Sequence, residues 1–306
     1  MHYHPISDAT ARAIVAGGLT IDEVRRVIAR ALDEDFAHGP DVTTNSTVPA
    51  DQKSIARFVS RASGCVAGLS VALAVIEMVC SPQAVTVNSI LVDGTLVTPG
   101  DVVLDVVGPT RGLLTAERTA LNLLGHLSGI ATATHEWSER LAGTSARVRD
   151  TRKTLPGLRA LQKYAVRCGG GVNHRMSLGD AALVKDNHVV AAGGVAEAFA
   201  RVRAANPSIV VEVEVDTLEQ LSEVLAAGAD LVLLDNMAPA TLREAVAIAG
   251  RHRESTGRHV VLEASGGLTL DSARDVAATG VDYVSVGALT HSVRVLDIGL
   301  DLEAVN

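Results

Sequence analysis

Charged and small polar residues follow almost every strand-like segment in the second half of the chain. In order they are Arg152 and Lys153, Lys185 and Asp186, Glu214 and Asp216, Asp235, Ser265, Gly266 and Gly267, and Gly287. In a parallel sheet the carboxyl ends of the strands meet at one edge, so these groups are expected to converge on one mouth. One polar strand end is ordinary, because the chain leaves the core there. Several cations and acids together indicate a site.

Positive charge is concentrated between residues 147 and 175. This segment holds eight Arg or Lys residues and one acid, a net charge of +7, whereas the whole chain has a formal net charge of −8. The contrast indicates a strongly anionic small ligand. Arginine binds carboxylates through two parallel hydrogen bonds, and lysine binds phosphates as a point charge. Arg159, Lys163 and Arg167 are spaced four apart along a helical face that we expect to be solvated.

Glycines follow the last two strand-like segments. Ser265, Gly266 and Gly267 come after one segment, and Gly287 and Ala288 come after the next. Free backbone N–H groups ahead of a helix bind phosphates, and glycine-bearing strand ends near the C-terminus are typical of a barrel phosphate site. The pattern therefore predicts phosphate binding at this end of the sheet.

The elements that must position these groups alternate between strands and helices. Strands are predicted at 146–151, 182–187, 209–216, 231–236, 260–265 and 283–287, with helices such as 217–229 and 241–250 between them. Apolar strands alternating with helices predict a parallel sheet covered by helices. No GxGxxG follows a strand and no GxxxxGK[ST] occurs, which argues against a dinucleotide-binding sheet and excludes a P-loop.

The first third of the chain predicts a small α+β domain built on an open sheet. Its strands are expected at 55–60, 84–90 and 101–107, and its helices at 21–32 and around 68–80. Residues 113–141 then form a long helical segment, expected to break near Gly129. A polar stripe runs along it at Thr115, Arg118, Asn122 and His126. Such a stripe faces solvent, a site or a subunit contact.

Composition narrows the class of protein. The 306 residues are 47% hydrophobic and 20% charged, which predicts a globular chain with a large core. Aromatic residues make up only 2%, too few for the stacking platforms of single-strand nucleic-acid binders. The net charge of −8 argues against a general partner among nucleic acids or anionic membranes.

The remaining sequence signals concern the compartment. Three cysteines without a CxxC indicate reduced thiols. Neither a signal peptide nor an apolar run long enough for a membrane span is recognisable, so we expect a soluble cytoplasmic protein. His2 and His4 are interpreted as part of a mobile terminus rather than as metal ligands.

Seven runs of sequence are distinctive enough to compare with known families. They are DVTT at 41–44, ERTALN at 117–122, DTRKTLPGLRALQKYAV at 150–166, GGGVNHRMSLGDAALVKDNH at 169–188, VEVEVDTLEQ at 211–220, LLDNM at 233–237 and EASGG at 263–267. Together they resemble the quinolinate phosphoribosyltransferase family, and the resemblance covers about residues 38–292. DTRKT and NHR…KDNH are its most specific runs.

The resemblance implies an α/β fold with two domains. Residues 1–125 are expected to form an N-terminal α+β open-faced sandwich, and 126–289 an incomplete seven-stranded α/β barrel of the type II phosphoribosyltransferases. The segment 290–306 is expected to pack back on the first domain. The resemblance also implies a homodimer with shared active sites, or dimers paired into a hexamer, in which one subunit's N-terminal domain covers the other's barrel mouth.

The family's reaction transfers the phosphoribosyl group of phosphoribosyl pyrophosphate to quinolinate with decarboxylation. Its products are nicotinate mononucleotide, pyrophosphate and CO2, in de novo NAD biosynthesis. By resemblance, the dianionic quinolinate would contact Arg118 of a neighbouring subunit, Thr151, Arg152, His174, Arg175 and Lys185. Phosphate oxygens would contact Lys153, Ser265, Gly266, Gly267, Gly287, Ala288 and His291.

Glu214 and Asp235 are the expected ligands of the ribose hydroxyls and of a Mg²⁺ that bridges the pyrophosphate. Hard oxygen donors and phosphates suit Mg²⁺. With Lys153 and Lys185, these two acids form the expected catalytic group.

Two other functions stay open at this point. A phosphoribosyltransferase of the same fold acting on nicotinate would need fewer cations, because nicotinate has one carboxylate. A Schiff-base aldolase would use Lys185 as its amine. The polar stretch at 250–259 departs from the family pattern and is interpreted as a longer loop without catalytic meaning.

Overall fold

A computed structural model describes residues 3–305, so His2 lies outside the described residues. Contacts divide the chain into two units. The first unit comprises the chain up to His135, Thr154–Gly170 and the chain from Leu289 onward. The second comprises Glu136–Lys153 and Gly171–Ala288. The domain boundary expected at residue 125 falls inside a continuous helix.

Helices and strands account for most of the described chain. The helices are α1 (Asp8–Ala16), α2 (Ile21–Asp35), α3 (Val42–Thr47), α4 (Leu69–Cys80), α5 (Thr110–Leu141), α6 (Arg159–Cys168), α7 (Asp186–Ala192), α8 (Val195–Ala205), α9 (Leu218–Ala226), α10 (Pro239–Thr256), α11 (Leu270–Ala277) and α12 (Ala288–His291). The strands are β1 (Lys53–Ser60), β2 (Gly64–Cys65), β3 (Thr86–Ile90), β4 (Leu96–Val97), β5 (Val102–Pro109), β6 (Arg147–Arg149), β7 (Ala181–Val184), β8 (Val210–Val215), β9 (Leu231–Asp235), β10 (Val261–Ser265), β11 (Tyr283–Ser285) and β12 (Ile298–Ala304).

The first unit is built on an antiparallel four-stranded sheet in the order β12-β1-β5-β3. The C-terminal strand β12 pairs along the whole of β1, from Ser54 opposite Ala304 to Ser60 opposite Ile298. Helix α2 begins at the N-cap Thr20, whose hydroxyl accepts from the Glu23 backbone N–H and donates to the Glu23 carboxylate at 2.6 Å. This cap is the reason the helix starts where the sequence predicts.

Helix α5 runs without interruption from Thr110 to Leu141, so the break expected near Gly129 is wrong. Gly129 serves packing instead. A Cβ at this position would overlap the carbonyl oxygen of Arg294, and the Leu296 N–H donates to the Gly125 carbonyl at 3.0 Å. The two glycines therefore let the C-terminal segment lie directly against the helix.

Lys163 of helix α6 is fully buried, so the expectation that it is solvated is wrong. Its neighbour Gln162 is also fully buried and makes three hydrogen bonds within the first unit. The Gln162 amide nitrogen lies 2.9 Å from His126 Nε2 and 2.9 Å from the Thr290 carbonyl, and the Gln162 oxygen accepts the Leu155 N–H at 2.9 Å. One face of this basic helix is therefore core rather than surface.

The second unit contains a parallel six-stranded sheet in the order β6-β11-β10-β9-β8-β7. A single parallel bridge between Arg149 and Val172 adds a seventh position beside β6. The α/β fold with an incomplete barrel is therefore confirmed, with six full strands and one bridge among the described residues where the sequence predicted seven strands. Helices between the strands cover the sheet, as the strand–helix rhythm predicted.

Two further sequence expectations concern helices. The stretch 250–259, expected as a loop, is helical through Thr256, because α10 continues until Gly257 adopts a positive φ of 73°. In the part of the chain described, no helix combines the length and the apolar character that crossing a membrane requires.

Two helical glycines provide a matched test of the packing around α5. Gly129→Ala should lower the free energy of unfolding by about 1–3 kcal/mol, because the new methyl group forces backbone to move. Gly250→Ala, in α10 with open space around its Cβ, should raise it by about 0.5–1 kcal/mol. Urea unfolding of both variants measures the difference, and a stabilised Gly129→Ala protein would contradict the close approach.

Candidate active site

The carboxyl ends of the strands in the second unit carry the residues that the sequence singled out. Lys185 follows β7, Glu214 lies near the end of β8, and Asp235 and Ser265 end β9 and β10. Asp235 and Ser265 are direct register partners across the β9–β10 pair. Parallel pairing thus brings an acid and the first residue of the glycine loop side by side.

Two arginines of the expected quinolinate site, Arg152 and Arg175, lie close enough for the charge of Arg152 to act on Arg175. Burial, and then the positive charge of Arg152, lowers the pKa of the Arg175 guanidinium. The Nε atoms of both arginines are buried and have no hydrogen-bond partner. One terminal N–H of Arg175 donates to the Ala181 carbonyl at 2.9 Å. Two adjacent guanidinium groups with unused buried donors are built to receive an anion.

Asp150 holds the loop that carries these groups. It is fully buried, and its two oxygens accept the His174 backbone N–H and the Asn173 side-chain amide, each at 2.7 Å. The Asp150 N–H in turn donates to the Val172 carbonyl at 3.1 Å. A buried carboxylate with this number of donors fixes the backbone just before Arg175.

The ring of His174 is held at both nitrogens. Its Nδ1 accepts the Arg175 backbone N–H at 2.7 Å, and its Nε2 lies 2.8 Å from Glu212 Oε2. An Nδ1 that accepts must lack a proton, so the proton sits on Nε2 and is donated to Glu212. In this arrangement His174 orients the Arg175 backbone, and its ring nitrogens are already engaged within the protein.

Below His174 lies a buried charge network in the interior of the sheet unit. The Arg149 guanidinium contacts both Glu212, at 3.4 Å, and Glu263, and it stacks 4.8 Å from the Tyr283 ring. Ser285 donates to the other oxygen of Glu263. Burial, reinforced by the charge of Glu212, raises the pKa of Glu263 to about 7. Burial also raises the pKa of Glu212.

This cluster has the composition of a metal site but not the electrostatics. His174, Glu212 and Glu263 bring three ligand atoms within 4.8 Å of one another. Arg149 contacts both carboxylates and offsets one of their two negative charges, so the cluster is an ion-pair network in which a cation is already in place. We therefore assign it a structural role beneath the arginines.

A cavity of about 310 Å³ lies in this unit, and Ala181, Val210 and Leu231 at the first residues of β7, β8 and β9 contribute to its wall. Arg149, His174, Arg175 and Glu212 are among its lining residues. Arg175 and the buried Arg149 and Glu212 thus line a space of small-molecule size. Thr151, directly before Arg152, accepts the Lys153 backbone N–H at 3.0 Å and so shapes the turn that presents both side chains.

The acidic side of the strand ends begins with an ion pair between Lys185 and Glu214. Lys185 Nζ lies 2.9 Å from Glu214 Oε2, and the lysine side chain remains 47% exposed while Glu214 is only 12% exposed. The backbone of Lys185 is fixed by His188, whose Nδ1 accepts the Lys185 N–H at 3.0 Å. A lysine engaged in this ion pair is poorly prepared for Schiff-base chemistry, which needs a neutral amine.

The predicted phosphate loops have the backbone geometry that glycine permits. Gly266 and Gly267 have φ values of 95° and 58°, a region that other residues rarely adopt. Gly287 leads directly into α12, which begins at Ala288. The loop after β10 therefore turns through two positive-φ glycines, whereas the second loop passes directly into a helix.

Two expected ligands, Arg118 and His291, belong to the first unit. Arg118 lies on α5 with 67% of its side chain exposed, and its nearest charged partner is Glu117 at 4.0 Å. His291 ends α12, with Nδ1 2.6 Å from Ser292 Oγ. Because most of its side chain is exposed and its ion pair with Glu117 is long, the Arg118 guanidinium is accessible to another molecule.

Sequence reasoning missed Arg149, Glu212, Glu263 and Ser285. The signal was present in the period of the strands, because alternate residues share a face. Glu212 is two residues before Glu214, and Glu263 is two residues before Ser265. Glu214 and Ser265 therefore each have a buried acidic neighbour one layer deeper on the same face.

The fold and the strand-end chemistry define a barrel-type enzyme for anionic substrates. The family models named quinolinate phosphoribosyl transferase, N-terminal domain and C-terminal domain, match residues 41–128 and 130–301. The chain belongs to the quinolinate phosphoribosyltransferase family.

Named relatives agree with this assignment. The nicotinate-nucleotide pyrophosphorylase [carboxylating] of Mycobacterium leprae (strain TN) is 53% identical over 281 residues, covering 92% of this chain and 98% of that protein. A probable enzyme of the same name from Bacillus subtilis (strain 168) is 41% identical over 287 residues, covering 93% and 95%. The crystal structure of NadC from Streptococcus pyogenes has a TM-score of 0.87 at 38% identity, covering 94% of this chain and 99% of that one.

The titration of Glu263 makes a testable contribution to stability. Because its folded pKa is raised, the folded protein keeps a proton that the unfolded chain releases, and this contribution is lost as the pH rises. Relative to a Glu263→Gln variant, the wild-type free energy of unfolding should fall by about 2 kcal/mol between about pH 5 and 8.

Urea unfolding across that pH range measures the effect. Glu244→Gln, at an exposed position of α10, is the matched control and should follow the wild-type pH dependence. Parallel curves for wild type and Glu263→Gln would show that Glu263 is ionised throughout.

Proposed function

We propose that this protein transfers the phosphoribosyl group of phosphoribosyl pyrophosphate to quinolinate and releases CO2. The products are nicotinate mononucleotide, pyrophosphate and CO2. The observation that carries the proposal is the pair formed by Arg152 and Arg175, with their mutual repulsion and unused buried Nε–H groups. Two adjacent guanidinium groups fit two adjacent carboxylates, so quinolinate is favoured over nicotinate, which has one.

The expected quinolinate contacts are Arg152, Arg175, Lys185 and Thr151, with His174 behind them. Asp150 and Glu212 hold the loop and ring from below, so the arginines are oriented before substrate arrives. Preorganised donors save the reorganisation that free side chains would need when the dianion binds. The protein's main task is thus to bring two polyanions together and offset their repulsion.

The first step needs no protein nucleophile, because the pyridine nitrogen of quinolinate has its own lone pair. That nitrogen attacks the anomeric carbon as pyrophosphate leaves. The ribose centre becomes cation-like, and the carboxylates of Glu214 and Asp235 stabilise positive charge on that side. After the transfer the ring nitrogen is positive, so it stabilises the carbanion formed when the adjacent carboxylate departs as CO2. This carbanion then takes up a proton from water to give nicotinate mononucleotide.

The leaving pyrophosphate is expected to be held by Lys153 and by the loops at Ser265–Gly267 and Gly287–Ala288. Their backbone N–H groups suit phosphate oxygens. His291 would add a further donor on the phosphate side.

Glu214 and Asp235 fit a Mg²⁺ ion. They offer carboxylate oxygens at the ends of the neighbouring strands β8 and β9, and Glu214 has one oxygen beyond the one paired with Lys185. Mg²⁺ is bound in such sites by one or two carboxylates together with substrate phosphates. When bound, the ion neutralises charge on the departing pyrophosphate.

Arg118 is proposed to complete the site of a second copy of the chain in a homodimer. Its exposure and its distance of 4.0 Å from Glu117 leave its guanidinium free for such a contact. A cytoplasmic enzyme would fit the reduced cysteines.

The central assay combines the protein with quinolinate, phosphoribosyl pyrophosphate and Mg²⁺ and measures CO2 and nicotinate mononucleotide. Both should form in equal amounts. Nicotinate in place of quinolinate should give no mononucleotide. If mononucleotide formed from nicotinate but not from quinolinate, the protein would be a nicotinate phosphoribosyltransferase of the same fold.

Arg175→Ala should weaken quinolinate binding by about 2–5 kcal/mol, because a desolvated carboxylate loses its partner. Binding of phosphoribosyl pyrophosphate should change much less. Calorimetry measures both affinities. Arg243→Ala, which removes the same charge from an exposed position of α10, is the control and should leave quinolinate affinity unchanged. Unchanged quinolinate affinity in Arg175→Ala would remove Arg175 from the site.

Shared active sites predict complementation between inactive variants. Arg118→Ala and Lys153→Ala should each be inactive alone. Co-expressed, they form mixed dimers in which one of two sites is intact, so activity should recover to about a quarter of wild type. Failure of this pair to recover activity, with mixed dimers demonstrated by two affinity tags, would argue against a shared site.

A further inference from the structure

The turn that follows β9 contains a residue in an unusual backbone conformation. Asn236 has a φ of 54°, and only Ser81 shares a positive φ among the non-glycine residues of 3–305. Asparagine tolerates the left-handed region better than most residues, but the conformation is still uncommon. It directly follows Asp235, one of the two carboxylates at the strand ends.

The Asn236 side chain and backbone hold two different loops. Its side-chain Nδ2 donates to Asp235 Oδ2 at 2.6 Å, and its backbone N–H donates to the Ser265 carbonyl at 2.9 Å. One residue therefore fixes both the carboxylate that ends β9 and the first residue of the glycine loop after β10. The hydrogen bond uses Oδ2 of Asp235, and Oδ1 takes no part in it.

Gly266 packs against the same side chain. A Cβ on Gly266 would overlap Asn236 Oδ1 and would lie 2.6 Å from its Cγ and 2.8 Å from its backbone nitrogen. The Asn236 carboxamide thus lies directly on the glycine backbone, and any larger residue at 266 would displace it. Gly267 also has a positive φ, but a Cβ there would meet open space.

We propose that Asn236 is a positioning residue that joins the Asp235 carboxylate to the Ser265–Gly267 loop. This inference rests on the proposed function, in which Asp235 binds the ribose or Mg²⁺ and the loop binds phosphate. The two halves of the phosphoribosyl pyrophosphate site then keep one relative geometry. Arg152 and Arg175 have no hydrogen bond to Asn236, so the quinolinate side should be insensitive to it.

The rival explanation is that Asn236 is only a turn residue tolerated for its positive φ. Two substitutions separate the explanations. Asn236→Gly keeps the left-handed backbone and removes the carboxamide. Asn236→Asp keeps the shape, but it removes the donor and places a second negative charge beside Asp235. A turn role predicts that Asn236→Gly behaves as wild type.

The experiment compares these variants with wild type by calorimetry and kinetics. For Asn236→Gly, the Kd of phosphoribosyl pyrophosphate with Mg²⁺ and its KM should each rise about tenfold or more, because a hydrogen bond to a charged group is lost. The Kd of quinolinate should stay within about twofold of wild type. Asn236→Asp should weaken phosphoribosyl pyrophosphate binding more than Asn236→Gly does. Asn206→Asp, at the exposed end of α8, is the charge control and should change neither constant.

Three outcomes would overturn the inference. Wild-type constants in Asn236→Gly would mean that the backbone turn suffices. Equal weakening of quinolinate and phosphoribosyl pyrophosphate, with a lowered melting temperature, would mean a general structural role. A wild-type protein that releases no CO2 from quinolinate would remove the proposed function and this inference with it, whereas an active wild type with unaffected variants removes the inference alone.

Substitutions at Gly266 and Gly267 also test the contact between Asn236 and Gly266. Gly266→Ala should weaken phosphoribosyl pyrophosphate binding more than Gly267→Ala, because both strain the backbone but only the first displaces Asn236. In the double variant Asn236→Gly, Gly266→Ala, the loss should be at least about threefold smaller than the product of the single losses. Multiplicative losses would show that the two residues act independently.

Discussion

The close placement of two arginine side chains is the constraint on which the candidate site depends. Arg152 and Arg175 repel each other, and each buries an Nε–H without an acceptor. Like charges stay together only where the surrounding structure fixes their backbone and supplies counter-charge. Asp150 fixes the backbone by accepting two hydrogen bonds from the loop before Arg175. The Glu212 carboxylate, one layer deeper, supplies the counter-charge.

The buried network below the arginines explains how this counter-charge is supported. Glu212 and Glu263 would repel each other in a low-dielectric interior, but Arg149 lies between them and His174 donates to Glu212. Arg149 thus offsets one of the two negative charges of the deeper layer, while the arginines above it keep unused Nε donors. In the proposed function, a bound dianion would satisfy those donors, and this gain would favour a substrate with two carboxylates.

The opposite side of the strand ends follows a different design. There the groups are acids and glycines, held by short backbone contacts across β9 and β10. Asn236 connects them, and Gly266 leaves the room it needs. A phosphate loop of bare backbone has no side chains to orient it, so its geometry has to come from its neighbours.

The sequence by itself determined the parallel α/β fold, the strand ends that carry the chemistry, and the family, because strand–helix alternation and local motifs are readable along the chain. It misjudged Lys163, Gly129 and the stretch 250–259, since burial and backbone approach depend on distant segments. Only the tertiary structure decided that Glu212 and Glu263 meet around Arg149. Period-two alternation shows which residues share a face of one strand, but their partners come from strands that are adjacent only after folding.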